Sequence, residues 1–382
     1  MSTLPTRSAR PSRRTVLTAG SLSLAGGALG LSACAPPPSY ELVSPAGAVD
    51  TTDGLLIDGE LVADAALFAA AREEGRVSLY TGYVENSEKE VVKAFTADTG
   101  IAVEMIRLVP NRLLERVLSE QGAGRLGADV VRSSDPANVE RMFAAGVFTP
   151  HVVPGFDELD DTVRYEGGSY YRCFDPAFTF GYNTALVDEA DRPTSWHDLV
   201  DPRWKGRLGI TQAGAGGSSL SLTRFQLEVL GPEWLEALAA NEPRIFDSSG
   251  AMQESLARGE IDVSTAVVSS LNISMAKNAP VQFVVPEEGF ALYDYFVGVA
   301  GSASHPNAAQ VFLNWNMSRR GGSVFADIGE YSTNPEADPP TVHGTVLPAV
   351  STGLPHRPAP EDLAAHQKSD QEFWNSAFGY IG

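Results

Sequence analysis

The chain has 382 residues, with 48 Asp or Glu against 28 Lys or Arg, a formal charge of −20 and a pI near 4.7. Such an excess of acid excludes the basic surface that a nucleic-acid binder needs to displace counterions from phosphates. With 43% hydrophobic and 20% charged residues the composition is that of a folded globular protein, long enough for about two domains. Only two cysteines are present, Cys34 and Cys173, which rules out a disulfide framework and a cysteine-based zinc site.

Residues 1–33 hold four arginines and no acidic residue, followed by an apolar, small-residue run from Val16 to Leu31. This pattern reads as an export signal rather than a fold element. Ser12-Arg13-Arg14-Thr15-Val16-Leu17 carries the paired arginines of a folded-protein export route, and Leu31-Ser32-Ala33-Cys34 places small residues before a cysteine, like a bacterial lipoprotein cleavage box. Cleavage there takes the formal charge from −20 to −24 and leaves Cys34 as the lipidated first residue, so the mature chain is expected outside the cytoplasmic membrane, tethered by lipid. Residues 34–58, opening Ala35-Pro36-Pro37-Pro38, are expected to be a flexible linker.

From Leu61 the pattern alternates strand and helix. Val77–Tyr80 reads as a strand. Ser87 with Glu90 reads as a capping box opening a helix with Val91, Val92 and Phe95 on one face, Gly100 closes it, and Ile101–Ile106 alternates as a strand. That βαβ unit implies a parallel sheet covered by helices. The unit continues with a helical stripe at Leu113, Leu114, Val117 and Leu118, a strand at Ala128–Val131 and a helix opened by Pro136. A second such region has strands at Phe178–Tyr182, Leu208–Thr211, Asp262–Val268 and Val281–Val285, with helices at Ser221–Leu230, Pro232–Ala240 and Ala251–Arg258 between them. A late helix starts at Pro306, with Ala308, Val311, Phe312 and Trp315 on one face.

Pro193-Thr194-Ser195-Trp196-His197-Asp198-Leu199, followed by Asp201-Pro202-Arg203-Trp204-Lys205-Gly206-Arg207-Leu208, resembles the signature of the extracellular solute-binding proteins of ABC importers. The resemblance is to the branch that contains ferric-iron, sugar-phosphate, phosphonate and thiamine binders. Thr99-Gly100-Ile101, Gly127-Ala128-Asp129-Val130, Gly181-Tyr182-Asn183-Thr184, Arg258–Val263 and Pro286-Glu287-Glu288-Gly289 match in order, over about residues 75–335. The resemblance implies an α/β, two-lobe periplasmic-binding-protein type II fold with two hinge crossings, near Ala177–Tyr182 and Tyr293–Val299, and a ligand cleft between the lobes. The first lobe is then discontinuous, residues 59–176 plus about 296–330, and the second takes 177–295 plus about 331–382. It implies a monomeric, non-enzymatic protein without a cofactor that delivers a small solute to an ABC permease and its ATPase.

Ligands of open α/β sheets bind beyond the carboxyl ends of the strands, so polar loops there are the candidate site. They are Tyr80 and Thr81 after the first strand, Ser133 and Ser134 after Val131, Thr211 leading into Gly216-Gly217-Ser218-Ser219, Ser269 and Ser270 after Val268, and Tyr293 at the second crossing. The glycine-rich turn is the most specific, since backbone N–H groups, two hydroxyls and a helix N-terminus together suit phosphate, phosphonate or carboxylate. Equally, Ser218 or Ser219 could cap its helix, and Ser133, Ser134 or Asp135 could cap the helix at Pro136. Arg132 is a candidate counter-charge, and Tyr331–Pro335 resembles a family segment that returns to the cleft.

Ferric members of the family bind metal through an adjacent tyrosine pair after the strand matching Asp262–Val268, where this chain has Ser269-Ser270-Leu271-Asn272. The histidine expected after the first strand is replaced by Tyr83-Val84-Glu85, which makes ferric iron the alternative rather than the leading ligand. Tyr170-Tyr171 reads as packing beside the hinge, the six histidines show no zinc spacing, and Cys173 reads as a small buried hydrophobe. An exported hydrolase is a distant alternative without a Gly-x-Ser-x-Gly or His-Glu-x-x-His motif to support it.

Overall fold

A computed structural model describes residues 42–333 and 338–381. The export signal and Cys34 lie outside the described residues. Among the described residues no helix is long and apolar enough to cross a membrane.

Part of the expected linker is structured. Strands β1 (Val49–Asp50), β2 (Leu55–Ile57) and β3 (Glu60–Ala63) form a small antiparallel sheet. The linker reading fails at 42–58 because Leu55 and Ile57 are buried, and Leu42, Val43 and Ala46 pack on the main core. Helix α1 (Ala65–Glu74) follows, capped by the Asp64 carboxylate, which accepts from the Leu67 N–H.

The first lobe is then built from β4 (Arg76–Thr81), α2 (Glu85–Thr99), β5 (Ala102–Arg107), α3 (Pro110–Gly122), β6 (Val130–Ser133) and α4 (Pro136–Ala144). Strands β5, β4 and β6 run parallel, as the βαβ pattern requires. Helix α2 starts three residues earlier than expected, with Val84 rather than Ser87 at its N-cap and no side-chain cap. Ser87 is thus inside the helix and fully buried, which leaves its hydroxyl free to face the other lobe instead of capping.

Strand β7 (Arg164–Tyr165) pairs with the long, entirely buried β8 (Tyr170–Asn183), and β8 belongs to both sheets. Its first half pairs with β14, its second half with β11, β12 and β13. The transfer falls at Asp175–Pro176, earlier than the expected Ala177–Tyr182. Proline has no N–H to give a ladder, so it fits where the strand leaves one sheet for the next. The second lobe comprises β9 (Leu208–Thr211), α5 (Gly217–Phe225), α6 (Pro232–Ala240), β10 (Arg244–Phe246), α7 (Ser249–Ala257), β11 (Val263–Val267), α8 (Val268–Ala276), β12 (Val281–Val284) and β13 (Phe290–Leu292), with β10, β9 and β11 parallel. Here the helix expected at Ser221–Leu230 begins four residues earlier and ends in a wide π turn over Gln226–Leu230.

The chain returns through Tyr293–Asp294 to β14 (Tyr295–Val299), α9 (Pro306–Met317) and α10 (Arg319–Ile328) in the first lobe. A third passage is β15 (Glu330–Tyr331), which pairs with Asp175 and Pro176 at the hinge. The hairpin β16 (Thr341–Val342) and β17 (Thr345–Val346), β18 (Pro355–His356) and α11 (Pro360–Phe378) complete the fold, α11 packing on α5 and α6.

Much of the Trp196–Leu208 motif is structural. Trp196 is fully buried, donates to the Gly289 carbonyl at 2.8 Å and packs edge-on against Phe180 and Trp234. Ser195 and Asp198 form a capping box on the short helix Trp196–Val200.

Candidate functional site

The carboxyl ends of β4, β5 and β6 face those of β9, β10 and β11 across the boundary between the lobes, and the lobes are closed on each other. The Asn111 amide donates to the Gly214 carbonyl at 2.7 Å, and the Ser87 and Ser269 hydroxyls lie 3.4 Å apart. Gly217 sits so tightly against the Ser134 carbonyl that a Cβ there would lie 2.0 Å from its oxygen. Between these contacts remains a cavity of about 30 Å3. Its first-lobe wall includes Gly82 and Arg107, its second-lobe wall Ser218, Asp247 and Ser249, and Tyr293 and Tyr295 lie where the crossing strand passes between.

Of the residues singled out from sequence, Ser218 and Tyr293 line this cavity. Gly216 and Gly217 shape its rim. Gly216 has φ near +150° and packs on Pro110, and no side chain caps α5 behind it, so neither Ser218 nor Ser219 is a cap. The first N–H groups of α5 and the positive end of its dipole therefore accompany Ser218 at the cavity. Ser219 is one position round the helix, buried with Leu222 and Trp374 inside the second lobe and away from the cleft.

Other candidates are turned elsewhere. Tyr80 faces α3, where its hydroxyl donates to Glu120 at 3.1 Å and Arg116 lies over its ring, because strand alternation points it to that face. Thr81 donates to Glu88 at 2.6 Å and accepts from the Tyr83 N–H, which fixes the turn after β4. Thr211 contacts Ser249 and Met252 beneath the cavity floor. Ser133 and Ser134 are both buried with no hydrogen-bond partner for their hydroxyls, Ser134 on the side of Tyr295. Asp135 is the cap of α4, accepting from Asn138, and burial raises its pKa. Ser270 is buried in α8 without a side-chain partner.

Arg132 is withdrawn from any ligand. It is fully buried, paired with Glu88 and Asn316, and enclosed by Phe174, Phe312 and Phe325. The Tyr331 hydroxyl donates to the Pro348 carbonyl, and that of Tyr171 to the His151 carbonyl, while Tyr170 stacks on Tyr165. Cys173 is buried and donates to the Tyr295 carbonyl, and burial pushes its thiol up to about 12.

Two groups at the hinge were not anticipated. Tyr83, from the turn after β4, donates to Glu330 of β15, with Ser269 of α8 beside both. Burial pushes the Glu330 carboxyl up to about 7 and raises the Tyr83 phenol well above its ordinary value. Asp175 and Asp294, on the two crossing strands, share Arg172, and Arg357 lies within 4 Å of both. Burial raises both carboxyls.

Arg107 and Asp247 were missed as well, although both follow the rule that located the other candidates, standing at the carboxyl ends of β5 and β10. Arg107 donates through Nε to the Tyr83 carbonyl at 3.1 Å and joins no ion pair among the described residues. It is the cation of the cavity wall that Arg132 was expected to supply.

Residues 127–351, more than half of the chain, match the model of a family described as bacterial extracellular solute-binding protein. The chain belongs to that family. Its fold is that of the fructose-6-phosphate-bound periplasmic binding protein AfuA of Actinobacillus pleuropneumoniae, with a TM-score of 0.65 at 17% identity, covering 81% of this chain and all of that one. Iron uptake protein A1 of Synechocystis is 27% identical over 68% of this chain and 72% of its own length. The Fe(3+)-binding periplasmic protein of Serratia marcescens is 24% identical over 67% and 78%. This member is accordingly a substrate-binding protein of an ABC transporter and not an enzyme, in a family that acts outside the cytoplasm.

Proposed function

We propose that this solute-binding protein captures a small anionic solute, of the phosphate-ester, phosphonate or carboxylate kind, between its lobes and delivers it to an ABC permease. The observation that carries the reading is the convergence of Arg107, Ser218 and the uncapped N-terminus of α5 on one cavity. A guanidinium with unpaired N–H groups and a helix dipole both favour negative charge, and a hydroxyl adds a donor. Closure is the mechanism. Solute contacts made only when both lobes engage shift the open–closed equilibrium, and no bond is made or broken. A sugar-phosphate-bound neighbour in fold supports an oxyanion ligand.

The test is thermal unfolding of the purified protein with phosphate esters, phosphonates, carboxylates, spermidine, thiamine and ferric citrate. A true ligand at 100 times its Kd adds about 2.7 kcal/mol. Stabilisation by an oxyanion, lost in Arg107→Gln, is the expected result.

Ferric iron is the second reading, favoured by the iron-binding relatives and by the close set of Tyr83, Tyr293 and Tyr295, the Tyr295 ring centroid lying 4.9 Å from that of Tyr83 and 5.8 Å from that of Tyr293. Against it, burial raises the pKa of all three phenols, which makes the phenolate that iron requires costly. A visible phenolate-to-iron charge-transfer band on adding ferric citrate would decide for iron.

For the anchor, we propose lipidation at Cys34 after export through the twin-arginine signal. Cys34→Ala should move the protein from the membrane to the soluble fraction, and Arg13→Lys with Arg14→Lys should hold it in the cytoplasm.

A further inference from the structure

The cavity wall carries two charged side chains, Arg107 on the first lobe and Asp247 on the second. Both are at strand ends where the family fold presents groups to a ligand, and neither forms an ion pair with the other or with any third residue among the described residues. Asp247 has one polar side-chain neighbour, the Tyr380 hydroxyl at 3.5 Å, the far edge of a hydrogen bond. Tyr293 and Tyr295 line the same cavity.

We infer that the solute is a short zwitterion, its anionic group on Arg107 and α5 and its protonated amine on Asp247. The inference rests on the anion reading above and narrows it. A plain anion would satisfy Arg107 but bring a second negative charge towards Asp247 as the lobes close and water leaves, so closure would work against binding. An amine a few bonds from the anion converts that repulsion into attraction. Arg107 and Asp247 line one small cavity, which keeps the spacer between the two groups short. Discrimination then lies in the second lobe, and capture of the anion in the first lobe and α5.

Matched pairs that differ only in the amine provide the experiment: 3-aminopropanoate against propanoate, 2-aminoethylphosphonate against ethylphosphonate, and O-phosphoethanolamine against ethyl phosphate. Titration calorimetry on the full chain should show the amine member of at least one pair binding ten-fold tighter or more. Asp247→Asn should erase that preference, leaving the amine-free member bound as well or better, while Arg107→Gln should weaken both members at least ten-fold. Asp247 is exposed, so its variant should melt with the wild type, and coincident melting without ligand checks that. Equal binding of both members, or an Asp247→Asn variant that weakens both alike, would overturn the zwitterion and leave the anion reading standing. Failure of every anion, with or without an amine, would overturn both.

Discussion

Gly217→Ala puts the closure mechanism to a direct test. The added methyl belongs to the second lobe, and the atom it would meet, the Ser134 carbonyl oxygen at 2.0 Å, belongs to the first. Backbone on both sides leaves no flexible side chain to yield, so the lobes must separate by at least 1 Å to restore a contact of 3.0 Å. Within α5 itself alanine is the better helix former, by about 1 kcal/mol over glycine, so the second lobe is not weakened. Overpacking of this kind costs about 1–3 kcal/mol, here charged to the closed state alone. Apparent affinity should therefore fall roughly 5- to 150-fold, because only the closed fraction holds ligand tightly. Calorimetric titration with the best oxyanion of the thermal panel reads the loss, and small-angle scattering of the ligand-free protein should show a larger radius of gyration. Gly122→Ala, with open space around its Cβ, is the control. Unchanged affinity and scattering in Gly217→Ala would refute closure by way of this contact.

Ser218→Ala should weaken anion binding about 5- to 13-fold, the worth of about 1–1.5 kcal/mol for one hydrogen bond, whereas Ser219→Ala should leave it within two-fold, both read by calorimetry. Arg132→Met strands the buried Glu88 carboxylate and should cost about 3–5 kcal/mol in urea unfolding without altering affinity per folded molecule. Glu330 keeps its proton up to about pH 7 in the fold but loses it near 4.5 when unfolded, so its contribution to stability is complete below pH 4.5 and declines as pH rises to about 7. The loss is roughly 3 kcal/mol, the hinge aspartates add to it in the same direction, and Glu330→Gln should flatten the fall in urea midpoint across that range.

The fold was legible because its determinants are local and repetitive. Glycine stops at Gly100, the proline at Pro136, alternation at Val77–Tyr80 and Ile101–Ile106, and the stripe from Ala308 to Trp315 each act within one element. The motif that carried the family resemblance is legible for the same reason, since Ser195, Trp196, Asp198 and Asp201 cap and anchor short helices before β9. Ser87 misled because a serine followed three residues later by glutamate is a cap only if the helix starts there, and α2 starts at Glu85. The residues 42–58 misled because their few apolar side chains lack periodicity yet find a core made by distant elements.

The site was less legible, and the reason is geometric. Loop position after a strand identifies a shell of residues, but whether a side chain reaches the cleft depends on a single step of strand alternation or 100° of helix. That step separates Ser218 at the cavity from Ser219 in the core, and turns Tyr80 towards α3. Charge is harder still. Arg132 and Arg107 both stand at strand ends in the first lobe, and of these two only Arg132 was a candidate from sequence. What distinguishes them is the partner: Glu88, seven residues beyond Thr81 on α2, neutralises Arg132 inside the core, and nothing comparable reaches Arg107. A buried ion pair holds the sheet end in place, and the cation next to it stays unpaired. On the proposed reading, ligand choice in this chain depends less on which charges stand at its strand ends than on which of them the fold leaves unneutralised.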